Sequence, residues 1–385
     1  MTNKIIITSG LALFAMFFGA GNIIYPLELG AQAGNHIPYV ILAFIISGIG
    51  LPFLGLFATS LYHGDYWVFF NRLGKVPAFL LITFLILIIG PLFAIPRTET
   101  VAYYSLRSFL PMTLNNSYVF SGLYCLVLFS LTYQQNKVID LIGRIMSPIK
   151  LTLFAILIIV GLTTGQHDTL VYKNSIPAAF KLGLVDGYST MDLLATFFFC
   201  TAVYGNIILK ARAIGITEPE VLVKIFFKSC LIGASLLGIV YVGFMLLTLY
   251  HASELQGVET AQMIVAISSL VLGKVGALFI GICVTFACMV TAMALTDITA
   301  TFGYEQIVKK KVSRTTCLVV TIAAIYGMSI VGFAGIMKIA LPILEVLYPA
   351  LIVFCIVNIV IKLWSERQST RLDPLACSVD LAPLQ

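Results

Sequence analysis

Gly19-Ala20-Gly21-Asn22 interrupts an apolar stretch, with Ile5 to Phe18 before it and Ile23 to Ala33 after it. Glycines and an uncharged amide at the middle of a membrane-length helix expose backbone groups that lipid cannot satisfy, so the break calls for a cavity or a bound partner. The amides after the break, near Ala20 and Gly21, sit at the positive end of the following half-helix and suit an anion, a carboxylate above all. The last carbonyls before it, from Ala15 to Phe18, are acceptors at a negative end and suit a small hard cation. Asn22 adds a neutral oxygen beside them. A second polar interruption, Val185-Asp-Gly-Tyr-Ser-Thr-Met-Asp192, also lies between apolar flanks. Ser189 and Thr190 offer hydroxyls from it, and Thr291 offers another from farther along the chain. Oxygen-only, mostly uncharged ligands fit a weakly held monovalent ion better than zinc or copper.

Each of these residues also has a plainer role. Glycines in membrane helices let neighbours pack closely, and it is Asn22 together with the second break that turns Gly19 and Gly21 into a site. Asp186 reads as the outer end of its span. Asp192 is deeper, where a charge costs about 2.5–3.5 kcal/mol on insertion scales unless paired or neutral. It either pins the broken helix or takes part in coupling. Arg97 and Glu99 lie beyond Pro91 and Pro96, which are expected to kink their span, and read as structural pairing near the outer end or as coupling groups. Phe197 to Cys200 suit an apolar pocket wall.

The elements that position these residues follow from composition. The chain has 385 residues, 60% hydrophobic and 10% charged, with a mean hydropathy of +1.03; ordinary soluble domains carry roughly 25% charge. That is an all-α polytopic membrane protein. Runs long enough to cross ~30 Å of hydrocarbon fall near 4–33, 36–61, 76–104, 117–133, 146–164, 178–208, 221–250, 274–303, 315–333 and 337–363, about ten spans. Val258 to Leu272 reads as a short surface helix. Ala31-Gln32-Ala33 resembles a signal-peptide cleavage site, but the stretch before it is too long and carries Asn22, Pro26 and Glu28.

Seventeen of the 23 basic residues fall on the side that holds the N-terminus, including Lys137, Arg144 and Lys150, against five on the other side and Arg97 within a span. Basic loops stay in the cytoplasm, which puts both termini inside and explains the net charge of +6 without nucleic acid. The eight cysteines form no CxxC pair and the four histidines fall in loops, so neither a disulfide framework nor a histidine metal site is expected. No hydrolase elbow, zinc-protease motif or Walker-type phosphate loop is present, and the chain reads as no enzyme.

Residues Gly10 to Asn22 with Pro26 and Gly30, Gly90-Pro-Leu-Phe-Ala-Ile-Pro-Arg-Thr98, Gly187-Tyr-Ser-Thr-Met-Asp192 and Tyr348-Pro349 together resemble the branched-chain amino acid:cation symporters. The resemblance covers nearly all of residues 4–363. It implies a LeuT-type five-plus-five inverted repeat with spans one and six broken, repeat one at about 4–164 and repeat two at about 178–363. The transport domain is then 1–364, with 365–385 a disordered cytoplasmic tail, in a bacterial inner membrane. It implies that the amides of Ala20 and Gly21 hold the substrate carboxylate and that Asn22, Ser189 and Thr190 line the substrate position. Asn22 and Thr190 would border one cation, while carbonyls of Ala15 and Phe18 with Thr291 would form a second cation site. Thr291 is followed by Ala292 where sodium sites of this fold commonly have a second hydroxyl, and Thr296 points about 140° away around the helix. The implied cargo is leucine, isoleucine or valine with sodium or a proton, and no other cofactor. Family members carry two further helices. The alternatives are transport of another small amino acid or solute, and a channel, although channels usually repeat one motif around an axis and these two breaks differ. Paired broken helices in matching positions of two halves are the signature of a transporter's central site. The oligomeric state is not readable from the sequence.

Overall fold

The computed structural model describes residues 2–133, 137–165 and 175–372, without the side chains of 137–147 and 366–372. His167, Lys173, Cys377 and the tail from residue 373 lie outside the described residues, as do the side chains of Lys137, Arg144, Arg367 and Arg371. Among the described residues every regular element is helical. The first run divides into α1 (Thr2–Phe17) and α2 (Ala20–Ala33). The second is α3 (Ile37–Ile45), passing through a π turn at Ile46–Gly50 into α4 (Leu51–Ser60). After the short α5 (Tyr66–Phe70), α6 (Lys75–Leu87) and α7 (Ala94–Leu106) make the third. There follow α8 (Ser117–Tyr133), α9 (Lys137–Thr164), α10 (Ile176–Ser189), α11 (Asp192–Arg212), α12 (Pro219–Leu249), α13 (Met263–Phe302), α14 (Arg314–Ser329) and α15 (Gly332–Leu372). Helices thus cover all ten apolar runs. By length and apolarity six stretches among the described residues can each cross a membrane, and Thr2–Phe17, Ser117–Tyr133, Pro148–Thr164 and Arg314–Ser329 are shorter apolar helices.

Three boundaries differ from the sequence reading. The third run is not merely kinked: Gly90 leaves helical geometry (φ −90, ψ −117), and Pro96 sits in the first turn of α7, where a missing N–H costs nothing. Gly273 (φ 70, ψ −179) divides α13, so the surface helix and the eighth run meet at one left-handed residue, which glycine adopts without penalty. Ile264 and Ile267 of that surface helix are fully buried. Finally, α15 continues through Leu372, so the beginning of the expected tail is helical.

The packing of these helices is reciprocal. Both pieces of the first run, α1 and α2, lie along α12, the second span of the other half, while α10 lies along α3 and α11 along α4. Each broken helix rests on the second span of the opposite half, as a repeat related by a two-fold axis requires. The α2–α12 contact is backbone-close. A Cβ on Gly30 would collide with the Met245 carbonyl oxygen and the Thr248 hydroxyl, and would stand 2.7 Å from the Met245 carbonyl carbon. Gly30→Ala is therefore expected to cost ~3 kcal/mol by forcing the helices apart, whereas Gly205→Ala, with nothing within 4 Å of its Cβ, should be neutral or stabilising. Thermal unfolding in detergent checks the pair; equal midpoints would refute the close contact.

Candidate substrate and ion site

α1 ends because its last bond is Phe18 N–H to Phe14 O at 2.9 Å, after which Gly19 N–H turns back to Phe17 O at 2.7 Å and not to Ala15 O. Gly19 is extended (φ −110, ψ −161), and α2 starts at Ala20. The break is thus confined to Phe18 and Gly19; Ala20, Gly21 and Asn22 form the first turn of α2 rather than an unwound loop. Asn22 reaches back, its Oδ1 accepting from Gly19 N–H at 3.4 Å, which satisfies one donor at the helix start. The second break is as narrow. α10 closes at Ser189, and Met191 adopts the left-handed conformation (φ 66, ψ 14) before α11 begins at Asp192. A non-glycine residue there costs of order 1–3 kcal/mol and persists only where its surroundings enforce it, most often at functional sites. Met191 is buried at 2% exposure.

The two breaks meet back to back. A Cβ on Gly21 would lie 3.2 Å from Thr190 Cα and 2.8 Å from Arg97 Nη2, so a larger residue there would press on the Thr190 backbone and displace the guanidinium. Asn22 Nδ2 donates to Asp192 Oδ2 at 2.5 Å and to the Tyr241 hydroxyl of α12. That side chain joins α2, α11 and α12 in one buried network, with Asp192 at the first turn of α11 where the helix favours a negative charge. Arg97 comes from α7 and is 3% exposed. Its Nη1 donates to Ser189 O and its Nη2 to Thr190 O at 3.0 Å. The guanidinium therefore caps the carbonyl end of α10, a favourable place for a cation, and its Nε is left without a partner. The Tyr25 ring lies 5.8 Å away.

Between the breaks is a cavity of about 20 Å³ lined by Gly21, Asn22, Arg97, Thr190, Asp192 and Thr291, with apolar walls from Phe17, Ile89, Ala195, Phe199 and Leu295. Such a volume admits a single water. Drug-sized ligands occupy pockets of ~300–1,000 Å³, so this cavity is too small for a substrate, which enters only as helices part.

The expected residues are not all equally near. Ala20, Gly21, Asn22, Thr190, Asp192, Arg97 and Thr291 border the cavity. Ser189 does not; its hydroxyl donates to Val185 O at 3.1 Å, and its contribution is the carbonyl that Arg97 holds. The Thr190 hydroxyl is engaged with Gly187 O at 2.8 Å. On α1 and at the break the cavity is lined by Met16, Phe17 and Gly19 rather than Ala15 and Phe18, and Thr291 Oγ1 lies 3.5 Å from Met16 O and 3.4 Å from Ala287 O. Of the apolar stretch Phe197 to Cys200, only Phe199 reaches the cavity. Glu99 is separate from Arg97, accepting from the Ser121 hydroxyl of α8 at 2.8 Å; neighbours in sequence, they face different helices.

Two participants escaped the sequence reading. Tyr241 has no signal beyond being a tyrosine inside an apolar helix. Lys150 was assigned to an inner loop, yet it is 3% exposed, with Nζ 5.2 Å from the ring centroids of both Phe14 and Phe18. Its position several residues inside the fifth apolar run was the available clue, since ionisable residues within spans mark function by default.

Helices arranged this way have counterparts among solved structures. The fold is similar to that of MhsT in complex with L-phenylalanine (TM-score 0.57, 16% identity, covering 85% of this chain and 79% of that one). It is also similar to Mhp1, a nucleobase-cation-symport-1 family transporter, in a closed conformation with bromovinylhydantoin bound (TM-score 0.62, 16% identity, covering 88% and 74%). Fold and paired breaks define a multi-pass membrane protein of the LeuT fold. A curated relative, the branched-chain amino acid permease BraB of Bacillus subtilis (strain 168), is 33% identical over 371 residues, which are 93% of this chain and 80% of the relative. The family model described as branched-chain amino acid transport protein matches residues 2–382, and the chain belongs to that family.

Proposed function

We propose that this protein is a secondary active symporter that imports leucine, isoleucine or valine, driven by a monovalent cation, sodium or a proton. The observation that carries the reading is the meeting of the two breaks at Gly21 and Thr190, with Arg97 and Asp192 on either side and apolar walls elsewhere. A zwitterion with an aliphatic side chain needs those three environments. The substrate carboxylate engages the amides of Ala20 and Gly21 and the unpartnered Nε of Arg97. Its ammonium group faces the Asp192 carboxylate, and its side chain lies against Phe17, Ile89 and Phe199. Family membership and the permease relative support the substrate class.

Residues 1–364 act as one transport domain, in the cell membrane, inner in a two-membraned cell, with both termini in the cytoplasm. Sixteen basic residues still support that orientation once the buried Lys150 is set aside. One co-transported charge supplies ~2.3 kcal/mol per 100 mV, enough for roughly 50-fold accumulation.

Binding is tested by a thermal-shift screen of the purified protein across the twenty amino acids. Leucine, isoleucine and valine at 100 times their Kd should stabilise by ~2.7 kcal/mol, and charged amino acids should not. Saturable, gradient-driven accumulation of labelled leucine in vesicles then separates a carrier from a channel. Absence of both results for every aliphatic amino acid would remove the reading.

A further inference from the structure

Glu99 is a buried carboxyl that the substrate reading leaves unused. It lies on α7, about two turns before that helix ends at Leu106, and is 1% exposed in the wedge where α7, α8 and α14 pack on one another. Its Oε1 accepts from the Ser121 hydroxyl of α8 at 2.8 Å. Ser329, the last residue of α14, faces it from a second helix. Among the described residues no lysine, arginine or histidine lies within ion-pair distance of it. Arg97, two residues earlier, is turned to the carbonyls of α10. The other titratable groups near Glu99 are Tyr124 and Cys125 of α8 and Cys288 of α13, none of them a cation.

Such surroundings favour a carboxyl that carries a proton. An ionised carboxylate with neutral partners and no counter-charge is costly in a water-free interior, and the carbonyl end of α14 at Ser329 adds to that cost. A sodium ion would offset the charge but finds few free oxygens. α7 and α8 run as regular helix past this level, so their carbonyls are spent on their own turns, and the Ser329 hydroxyl donates to Ile325 O at 2.9 Å. The Tyr124 hydroxyl is the exception in the wedge. It is buried without a hydrogen-bond partner and faces both Glu99 and Thr98, and Thr98 borders the central cavity.

We propose that Glu99 is a proton-binding site between α7, α8 and α14, beside the substrate cavity, and that the proton it holds is the charge co-transported with leucine. The inference rests on the transporter reading above and names the ion that reading leaves open. One proton adds to the carboxylate on the outer side and leaves it on the inner side, so the carboxyl is neutral while substrate is aboard and ionised on the return. Water that reaches the wedge as helices part takes the proton, and the Tyr124 hydroxyl then donates to the carboxylate left behind.

Proteoliposomes holding the full-length protein test this. Across a one-unit pH gradient, acid outside and without sodium, wild type should concentrate labelled leucine about 10-fold if one proton enters per leucine, while a sodium gradient at equal pH should drive none. Glu99→Gln has no proton to exchange. Its internal leucine should only match the external level, whereas leucine-for-leucine exchange, which moves no net proton, should persist. A carboxyl that merely holds α8 in place would leave pH-driven accumulation by Glu99→Gln at the wild-type level, and that result overturns the inference. So does a wild type driven by sodium alone. If Glu99→Gln does not fold, Ser121→Ala decides: the pH midpoint of driven uptake should rise by about one unit, because a charged acceptor loses more than a neutral one when its donor is removed, and an unmoved midpoint overturns the inference. Neither exchange nor accumulation of leucine by wild type under either gradient overturns the transporter reading itself, which distinguishes the two failures.

Discussion

Arg97→Met is expected to lower leucine affinity about 100-fold, or ~3 kcal/mol, with a much smaller change in thermal stability. Truncating one member of a buried, hydrogen-bonded charged contact typically costs 2–5 kcal/mol in binding. Stability responds differently because two opposing terms nearly offset. The variant loses the bonds to Ser189 O and Thr190 O, worth about 1.5–3 kcal/mol each as charged hydrogen bonds. It also relieves the cost of keeping a guanidinium at 3% exposure, and apolar replacements of buried charges are often neutral or stabilising. Arg97→Lys should fall between, since an ammonium keeps the charge but lacks the planar fork that spans two carbonyls. Isothermal titration and thermal unfolding on the same samples read the two effects separately. A large loss of stability with unchanged leucine affinity would reassign Arg97 to a purely structural role.

The second large effect is expected at Asn22. Asn22→Asp would place a second carboxylate at the position now 2.5 Å from Asp192 Oδ2. Two like charges ~4 Å apart repel by ~4 kcal/mol at an effective dielectric of 20, and the Tyr241 hydroxyl loses its amide donor. The variant should unfold at markedly lower temperature and fail to bind leucine. The exchange Asn22→Asp with Asp192→Asn restores one carboxylate and one amide across the same contact, and should recover most of the stability if the pair interacts directly. A double-mutant cycle measures that coupling. Additive losses would mean the two side chains act independently.

The fold was largely legible because both of its signals are strong in sequence: uninterrupted apolar runs of fixed length, and paired polar breaks in corresponding positions of two halves. Gly19 to Asn22 and Gly187 to Asp192 located the meeting point correctly. What remained hidden depends on side-chain direction. Whether Arg97 turns toward Glu99 or toward the carbonyls of α10 is decided by the rotation of α7 after Gly90, and a spacing of two residues puts the side chains on different faces of a helix. Ser189 looked like a ligand because of its residue type, but its hydroxyl was taken up by its own helix, as serines at helix ends commonly do. Lys150 was misplaced because counting loop charges treats every lysine near a span's end as solvated.

The reciprocal packing of the two halves also governs how the chain is made. When a ribosome has delivered α1 through α9, the surface of α2 around Gly30 has no wall, since that wall is α12 and ends at Leu249. The earliest helices must wait in the bilayer, loosely held, until more than half of the sequence has followed. Insertion can be sequential, but completion of the site cannot. A nascent chain arrested before α12 should therefore be far more open to proteases at its first break than the finished protein, however long it is left to mature.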